Sequence, residues 1–255
     1  MAYRLHPPKI HKIMHRTLVI GDIHGGYKAL LQVFERAKVT TQDKLIFLGD
    51  YVDGWSQSAE VIEYLLELDK SHSCVFIKGN HDVWCQDWLK TNLPDRRWLI
   101  HGGAAAVESY FANKKIDRHK HLSFLNKMPF YAVDSQNNLY IHAGFTSVEG
   151  PKKEFNVNIY NWDRTLWEDA LDFEEGLNQD VLQYPERMQL FNEIFIGHTP
   201  TINYNKDTPM LAGNVWNIDT GTAFTGKLTV LDVQSKAYWQ SDKVMDLYPN
   251  EKGRN

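Results

Sequence analysis

Five apolar runs in this chain end in the same kind of text, and that repetition narrows what the chain can fold into. Thr17–Ile20 runs into Gly21-Asp22-Ile23-His24-Gly25, and Lys44–Leu48 into Gly49-Asp50-Tyr51-Val52-Asp53. Cys74–Ile77 runs into Lys78-Gly79-Asn80-His81-Asp82. Later, Leu139–His142 leads into Ala143-Gly144, and Glu193–Ile196 into Gly197-His198-Thr199. Short β-branched and aromatic runs bounded by glycine read as buried strands. A glycine beside each polar residue lets the backbone turn sharply and approach a centre closely. Ligands of α/β sheets collect beyond the carboxyl ends of strands, so these ends predict converging oxygen and imidazole donors. Each motif alone is an ordinary turn, since Gly-Asp pairs are common and a buried histidine is usually a packed core residue. The series in this order is not ordinary.

The segments between the first three runs carry helical spacing. Tyr27, Leu30, Leu31, Phe34 and Ala37 form one apolar face, and Val61, Ile62, Leu65 and Leu66 another, with Ser58 as the expected N-cap of a helix through Asp69. A β-α-β-α-β order predicts parallel pairing with right-handed crossovers. The second half differs. Phe130–Asp134 and Leu139–His142 flank a polar turn and read as a hairpin, and Val215–Ile218, Lys227–Asp232 and Lys236–Gln240 are further short strands. This pattern predicts a second, mostly antiparallel sheet. Residues 143–192 hold a helical piece near Leu166–Phe173 within a long polar stretch, which reads as a lid or substrate wall. The domain reading is an extension over 1–16, a single domain over 17–245 and a tail over 246–255.

Bulk properties exclude several classes of protein. With 255 residues, 28 basic against 32 acidic, the surface offers no charge footprint for nucleic acid or anionic membrane. No run approaches the ~20 apolar residues of a membrane span. Cys74 and Cys85 form no CxxC pair and read as reduced thiols of a soluble cytoplasmic protein. The oligomeric state is not legible.

The set GDIHG, GDYVDG, GNHD, HAG and GHT resembles that of the calcineurin-like metallophosphoesterases, specifically their phosphoprotein phosphatase branch in its bacterial and phage form, which includes diadenosine tetraphosphate hydrolases. Trp98-Leu99-Ile100-His101-Gly102-Gly103, Asn217-Ile218-Asp219-Thr220-Gly221 and Gly226-Lys227-Leu228-Thr229 are similar to stretches of those short enzymes, and the likeness covers about residues 17–232. It implies an α/β fold, a β-sandwich of two mixed sheets flanked by helices. It implies two divalent ions held by Asp22, His24, Asp50, Asn80, His142 and His198, with Asp50 shared. Such mixed donors suit Mn²⁺, with Fe or Zn²⁺ as alternatives, better than Ca²⁺. It further implies in-line attack on phosphorus by a water held between the ions, with His81 protonating the leaving oxygen and Asp53 holding His81. The competing reading of Asp53 is a turn carboxylate that caps local N–H groups.

The phosphate clamps match less well. The family has arginines here. Lys78 stands at one such position, and a lysine grips phosphate as a point charge only. Arg164, in Trp162-Asp163-Arg164, fits a second, unless it pairs with Asp163 or Glu168. At the third, after Asp53, stands Gly54, followed by Trp55. Either Arg96 or Arg97 folds over the site instead, or Trp55 lines the mouth and stacks an aromatic leaving group; the plainer reading of Trp55 is packing. Trp84, Trp88 and Trp98 at helix-like spacing read as core, and His101 carries no assigned role. The functional expectation is hydrolysis of phosphate monoesters in the manner of a Ser/Thr or Tyr protein phosphatase. The alternatives are a nucleotide or dinucleoside polyphosphate hydrolase and an inert metal-binding module.

Overall fold

In a computed structural model, which describes residues 15–176 and 184–254, the elements run β1 (Thr17–Ile20), α1 (Tyr27–Ala37), β2 (Lys44–Phe47), α2 (Ser58–Leu68), β3 (Ser73–Phe76) and α3 (Asn80–Thr91). They continue through β4 (Tyr131–Val133), β5 (Leu139–Ile141), β6 (Ile194–Ile196), β7 (Met210–Ala212), β8 (Val215–Asn217), β9 (Thr229–Asp232) and β10 (Tyr238–Gln240). These strands form two five-stranded sheets, β10-β9-β1-β2-β3 and β4-β5-β6-β8-β7.

In the first sheet β1, β2 and β3 are parallel, with Ile20 beside Phe47 and Phe47 beside Phe76. Helices α1 and α2 cross between them and bury Leu30, Val33, Val61, Ile62 and Leu65 against the sheet. Each such fully buried aliphatic side chain contributes roughly 1.5–3 kcal/mol of transfer free energy. The opposite face of the sheet carries Val19, Ile46 and Leu231, which meet Tyr140 and Phe195 of the second sheet and Ile218 just past β8. That second sheet is covered on its outer side by helix Thr165–Glu175 through Leu166, Trp167 and Ala170. The layers are thus helix, sheet, sheet, helix, the sandwich implied by the motif resemblance.

Three expectations change. The second sheet is mixed: β5-β6 and β6-β8 are parallel, and only the β4-β5 and β7-β8 pairs are antiparallel. Strands β9 and β10 leave it and extend the first sheet antiparallel to β1. Ser58 is not an N-cap; it is the first helical residue, and its Oγ accepts the Asp53 N–H at 2.9 Å. The predicted hairpin is present, its turn held by Asp134 Oδ1, which accepts from the N–H groups of Gln136 and Asn138. Most of the proposed 1–16 extension, and residues 177–183 of the proposed wall, lie outside the described residues. No helix among the described residues is long and apolar enough to cross a membrane.

The two triplets of parallel strands, β1-β2-β3 and β5-β6-β8, point their carboxyl ends to one edge of the sandwich. The loops that follow β2 and β3 at that edge are tied together by the buried Asp82 in the first turn of α3. Its Oδ2 accepts from Asp50 N and Gly79 N at 2.8 Å each, and its Oδ1 from Tyr51 N at 2.9 Å. Burial pushes this carboxyl up to about 8, and the Gly79 and Tyr51 N–H groups pull against that rise. Asp82→Asn replaces one acceptor oxygen by a donor and strands at least one buried N–H, a cost of about 1–3 kcal/mol. The expected outcome is a melting temperature lower by several degrees in thermal unfolding; an unchanged value would show that the loops hold without this carboxylate.

Candidate metal centre

Each expected donor sits where a parallel strand stops. Asp22 and His24 follow β1, Asp50 follows β2, Asn80 opens α3, His142 follows β5 and His198 follows β6. All are at least nine-tenths buried. His24, Asp50, Asp53 and His198 have positive φ, an uncommon conformation for non-glycine residues that clusters at functional sites. At Gly79 and Gly197 a Cβ would lie 2.1 Å from Asp50 Oδ1 and Asp22 Oδ1 respectively, so those carboxylates require glycine beside them.

The donors fall into two overlapping groups. His24 Nε2 is 3.5 Å from Asp50 Oδ2 and 3.9 Å from Asp22 Oδ2. His142 Nε2 is 3.4 Å from the same Asp50 Oδ2 and 3.1 Å from Asn80 Oδ1, which is 3.0 Å from His198 Nδ1. Two donors bound about 2.1 Å from one ion at right angles would stand about 3.0 Å apart, so this spacing fits ligands around a cation. The orientation of the rings fits as well. His24 Nδ1 donates to Val52 O and His142 Nδ1 to Leu48 O, which leaves each Nε2 free to face Asp50. Asp22 Oδ1 is buried without a hydrogen-bond partner, as an oxygen reserved for a cation would be. Clusters His24-Asp50-His81 and Asp50-His142-His198 share Asp50, the position expected to bridge.

Electrostatics follow from this crowding. Burial, with Asp219 close by, pushes the Asp22 carboxyl well above the usual range. Burial acts the same way on Asp50, but the imidazoles of His142, His81 and His24 outweigh it and hold that carboxyl well below normal. Burial lowers His24 and His198 well below the ordinary imidazole value, the neutral form a ligand needs. His142 also feels burial, yet Asp50 overrides it and raises the ring to about 10.

Beside the donors, His81 Nδ1 lies 2.5 Å from Asp53 Oδ2, and Trp98 Nε1 donates to the same oxygen at 2.6 Å. Asp53 is therefore a partner of His81 and not a turn cap. Burial pushes its carboxyl up while the His81 and Trp98 bonds pull it down. A cleft of about 140 Å³ opens over Asp50, Asn80, His81 and His198, and its wall is made by Trp84, His101, Trp162, Arg164 and Arg254. Arg164 Nε reaches to 3.5 Å from His198 Nε2, and among the described residues it forms no ion pair with Asp163 or Glu168.

Several expectations need correction. Lys78 does not reach the cleft: its Nζ donates to Gln86 Oε1 at 2.6 Å and lies over the Phe130 ring. For Trp55 the packing reading holds against the mouth alternative: it is fully buried, donates to Thr222 O and stacks on Tyr248. Arg97 stands in a neighbouring groove and not in the cleft. Trp84 is not core; it forms the cleft wall with its ring parallel to His101 and edge-on to Trp162. The cleft residue with no sequence signal is Arg254, whose segment reads as a plain polar tail.

Two sheets with donors at one edge define a metallophosphoesterase-type hydrolase, and comparison with known proteins agrees. The model of the calcineurin-like phosphoesterases matches residues 15–218, so the chain belongs to that family. It is 26% identical over 226 residues to the bis(5'-nucleosyl)-tetraphosphatase PrpE of Geobacillus sp. strain WCH70, covering 83% of this chain and 87% of that one. It is 27% identical over 199 residues to the serine/threonine-protein phosphatase 2B catalytic subunit A2 of Saccharomyces cerevisiae, covering 69% of this chain and 29% of that one. Among solved structures, a candidate diadenosine tetraphosphatase superposes with a TM-score of 0.60 at 14% identity, covering 90% of this chain and 94% of that one. The family uses divalent metals, and the donor groups described above are of that kind.

Asp50 holds the His142 ring up near 10, so a metal binding there must displace its proton, and burial shifts Asp22 in the same direction. Binding of Mn²⁺ is expected to release protons, and its apparent affinity to rise with pH through the neutral range. Titration calorimetry in buffers of different ionisation enthalpy measures the release, and a buffer-independent enthalpy would contradict it. At 100 times its Kd, Mn²⁺ should stabilise the fold by about 2.7 kcal/mol, and Asp50→Asn should remove most of that shift.

Proposed function

We propose that this chain hydrolyses phosphate monoesters, with Asp22, His24, Asp50, Asn80, His142 and His198 holding two divalent ions and His81 acting as general acid. The observation that carries the reading is the buried Asp53–His81 pair beside the shared Asp50. When bound there, two ions supply an activated water and offset charge on the phosphoryl oxygens. The chain's own residues do the remaining work. Asp53, itself held by the Trp98 indole N–H, fixes the His81 ring through Nδ1, so Nε2 is the atom left for the cleft. From Nε2 a proton passes to the leaving oxygen, a transfer worth roughly 10²–10⁴-fold. Arg164 at the cleft wall supplies a guanidinium for the phosphoryl oxygens. A cleft of about 140 Å³ has room for a terminal phosphoryl group. An inert binding module would have no use for a held imidazole beside the donors.

A second reading, cleavage of a nucleotide or dinucleoside polyphosphate, is favoured by one further feature. The groove next to the cleft is lined by Trp84, His101, Trp162 and Arg97, a surface on which a base could stack for ~1–3 kcal/mol. The PrpE relative carries that activity in its name.

His81→Asn, assayed with Mn²⁺, should lower kcat by ~10²–10⁴ for alkyl phosphates and much less for p-nitrophenyl phosphate, whose leaving group needs no proton. Equal losses on both would remove His81 from the acid role. A panel of phosphopeptides against mononucleotides and dinucleotides, with products separated by chromatography, decides between the two substrate readings. Turnover of none of them would return the chain to a binding role.

A further inference from the structure

The family pattern places an arginine where this chain has Gly54, and the space so released is filled from far along the chain. The stem of Arg254 lies in a slot between two glycines. A Cβ on Gly54 would stand 3.3 Å from Arg254 Cγ, and one on Gly102 only 2.9 Å from it. Gly54 and Gly102 have φ of 83° and 107°, and the Gly54 N–H donates to Gly102 O at 3.1 Å, which holds the slot's two walls together. Beyond the stem, the guanidinium lines the cleft with Asp50, Asn80, His81 and Arg164.

The segment that delivers this side chain is anchored at several points. Tyr248 stacks on Trp55, and its hydroxyl donates to Gln57 Oε1. The Ser56 N–H and Oγ both donate to the Glu251 carboxylate, at 2.9 and 2.7 Å. Gly253 packs against Trp55, and the Arg254 N–H donates to Ala223 O at 2.9 Å. Its guanidinium lies over the Phe224 ring, and among the described residues no carboxylate stands within ion-pair distance of it. A half-buried cation without a carboxylate partner, aimed into a cleft beside another arginine, is arranged for an anion from outside.

We infer that Arg254 is a phosphate-binding residue of this site, carried in by the 248–254 segment to take the place that Gly54 leaves open. Gly54 and Trp55, where the chain departs from the family text after Asp53, then have one explanation: the glycine opens the slot and the tryptophan seats the segment that fills it. The inference rests on the phosphatase reading, because it assigns the second guanidinium of that same cleft.

The test is inhibition by inorganic phosphate, with Arg254→Met as the main variant. Methionine keeps an unbranched apolar stem in the slot and removes only the charge. With metal present, the phosphate inhibition constant and the KM for p-nitrophenyl phosphate should rise ~10- to 100-fold. The Mn²⁺-induced shift in melting temperature and the unfolding temperature itself should stay as in the parent protein. Arg254→Lys should recover part of the loss, since a lysine supplies charge without the fork. An unchanged phosphate constant in Arg254→Met would overturn the inference. Loss of phosphate binding together with a fallen melting temperature in both variants would also overturn it, by making the residue structural. A parent protein that neither binds phosphate nor turns over any phosphate ester would instead overturn the reading beneath it.

Discussion

One carboxylate organises the edge of this sandwich. Asp50 lies within 3.5 Å of His24 and 3.4 Å of His142 through the same oxygen, while its other oxygen accepts the His81 N–H at 3.0 Å. It therefore joins the loops that follow β1, β2 and β5 and the first turn of α3. Asp50 keeps this position at some cost: its backbone is left-handed, and the approach of Gly79 leaves no room for a Cβ. Strain of that kind, about 1–3 kcal/mol per residue, persists only where the surroundings hold it in place. Here those surroundings are Asp82 and the strand ends.

The same crowding sets the charge problem of the site. Asp22, Asp50, Asp53, Asp82 and Asp219 are all nearly inaccessible to solvent within one region. Ionised carboxylates in such a place cost several kcal/mol each unless countercharge and hydrogen bonds compensate. Asp82 finds three N–H donors, and Asp53 finds His81 and Trp98. Asp219 accepts from Gly221 N, with burial pushing it up to about 6. Asp22 Oδ1, like Asp53 Oδ1, has no hydrogen-bond partner among the described residues. The residual demand for positive charge falls on the Asp22–Asp50 pair, the place where neutral imidazoles also converge. Metal affinity and carboxylate burial are thus one property seen from two sides.

How much of this was legible in the sequence depends on how local the determinant is. The donors were legible because each is written within a few residues of the strand that presents it, as in Gly49-Asp50 or Gly197-His198. The His81–Asp53 pair followed from two such motifs. The second sheet was misjudged because its strands are three residues long and its parallel pairs are separated by long excursions, so local hairpin chemistry dominated the pattern. Trp84 was misplaced, while Trp55 was left open between packing and the mouth, and packing is what it does. Which tryptophan is covered depends on Tyr248 and on His101, and no spacing rule reports those contacts. Lys78 had the right position for a clamp, but Gln86 one turn pair further along α3 takes its ammonium.

Donors and clamps are therefore encoded differently. The candidate donors are written in short motifs at the buried ends of core strands. Arg164 and Arg254, which line the cleft, sit in a loop and on the 248–254 segment, and reach the donors by packing and by the 3.5 Å approach of Arg164 Nε to His198 Nε2. Such positions can be exchanged without touching the sheets, provided some other part of the chain supplies the charge. Gly54 and Arg254 are 200 residues apart in sequence and share one slot in space. A chain with this centre can consequently keep its hydrolytic chemistry while its grip on the phosphate and its aromatic wall change partners. This is why the family is read from the donors, and the substrate only from the wall.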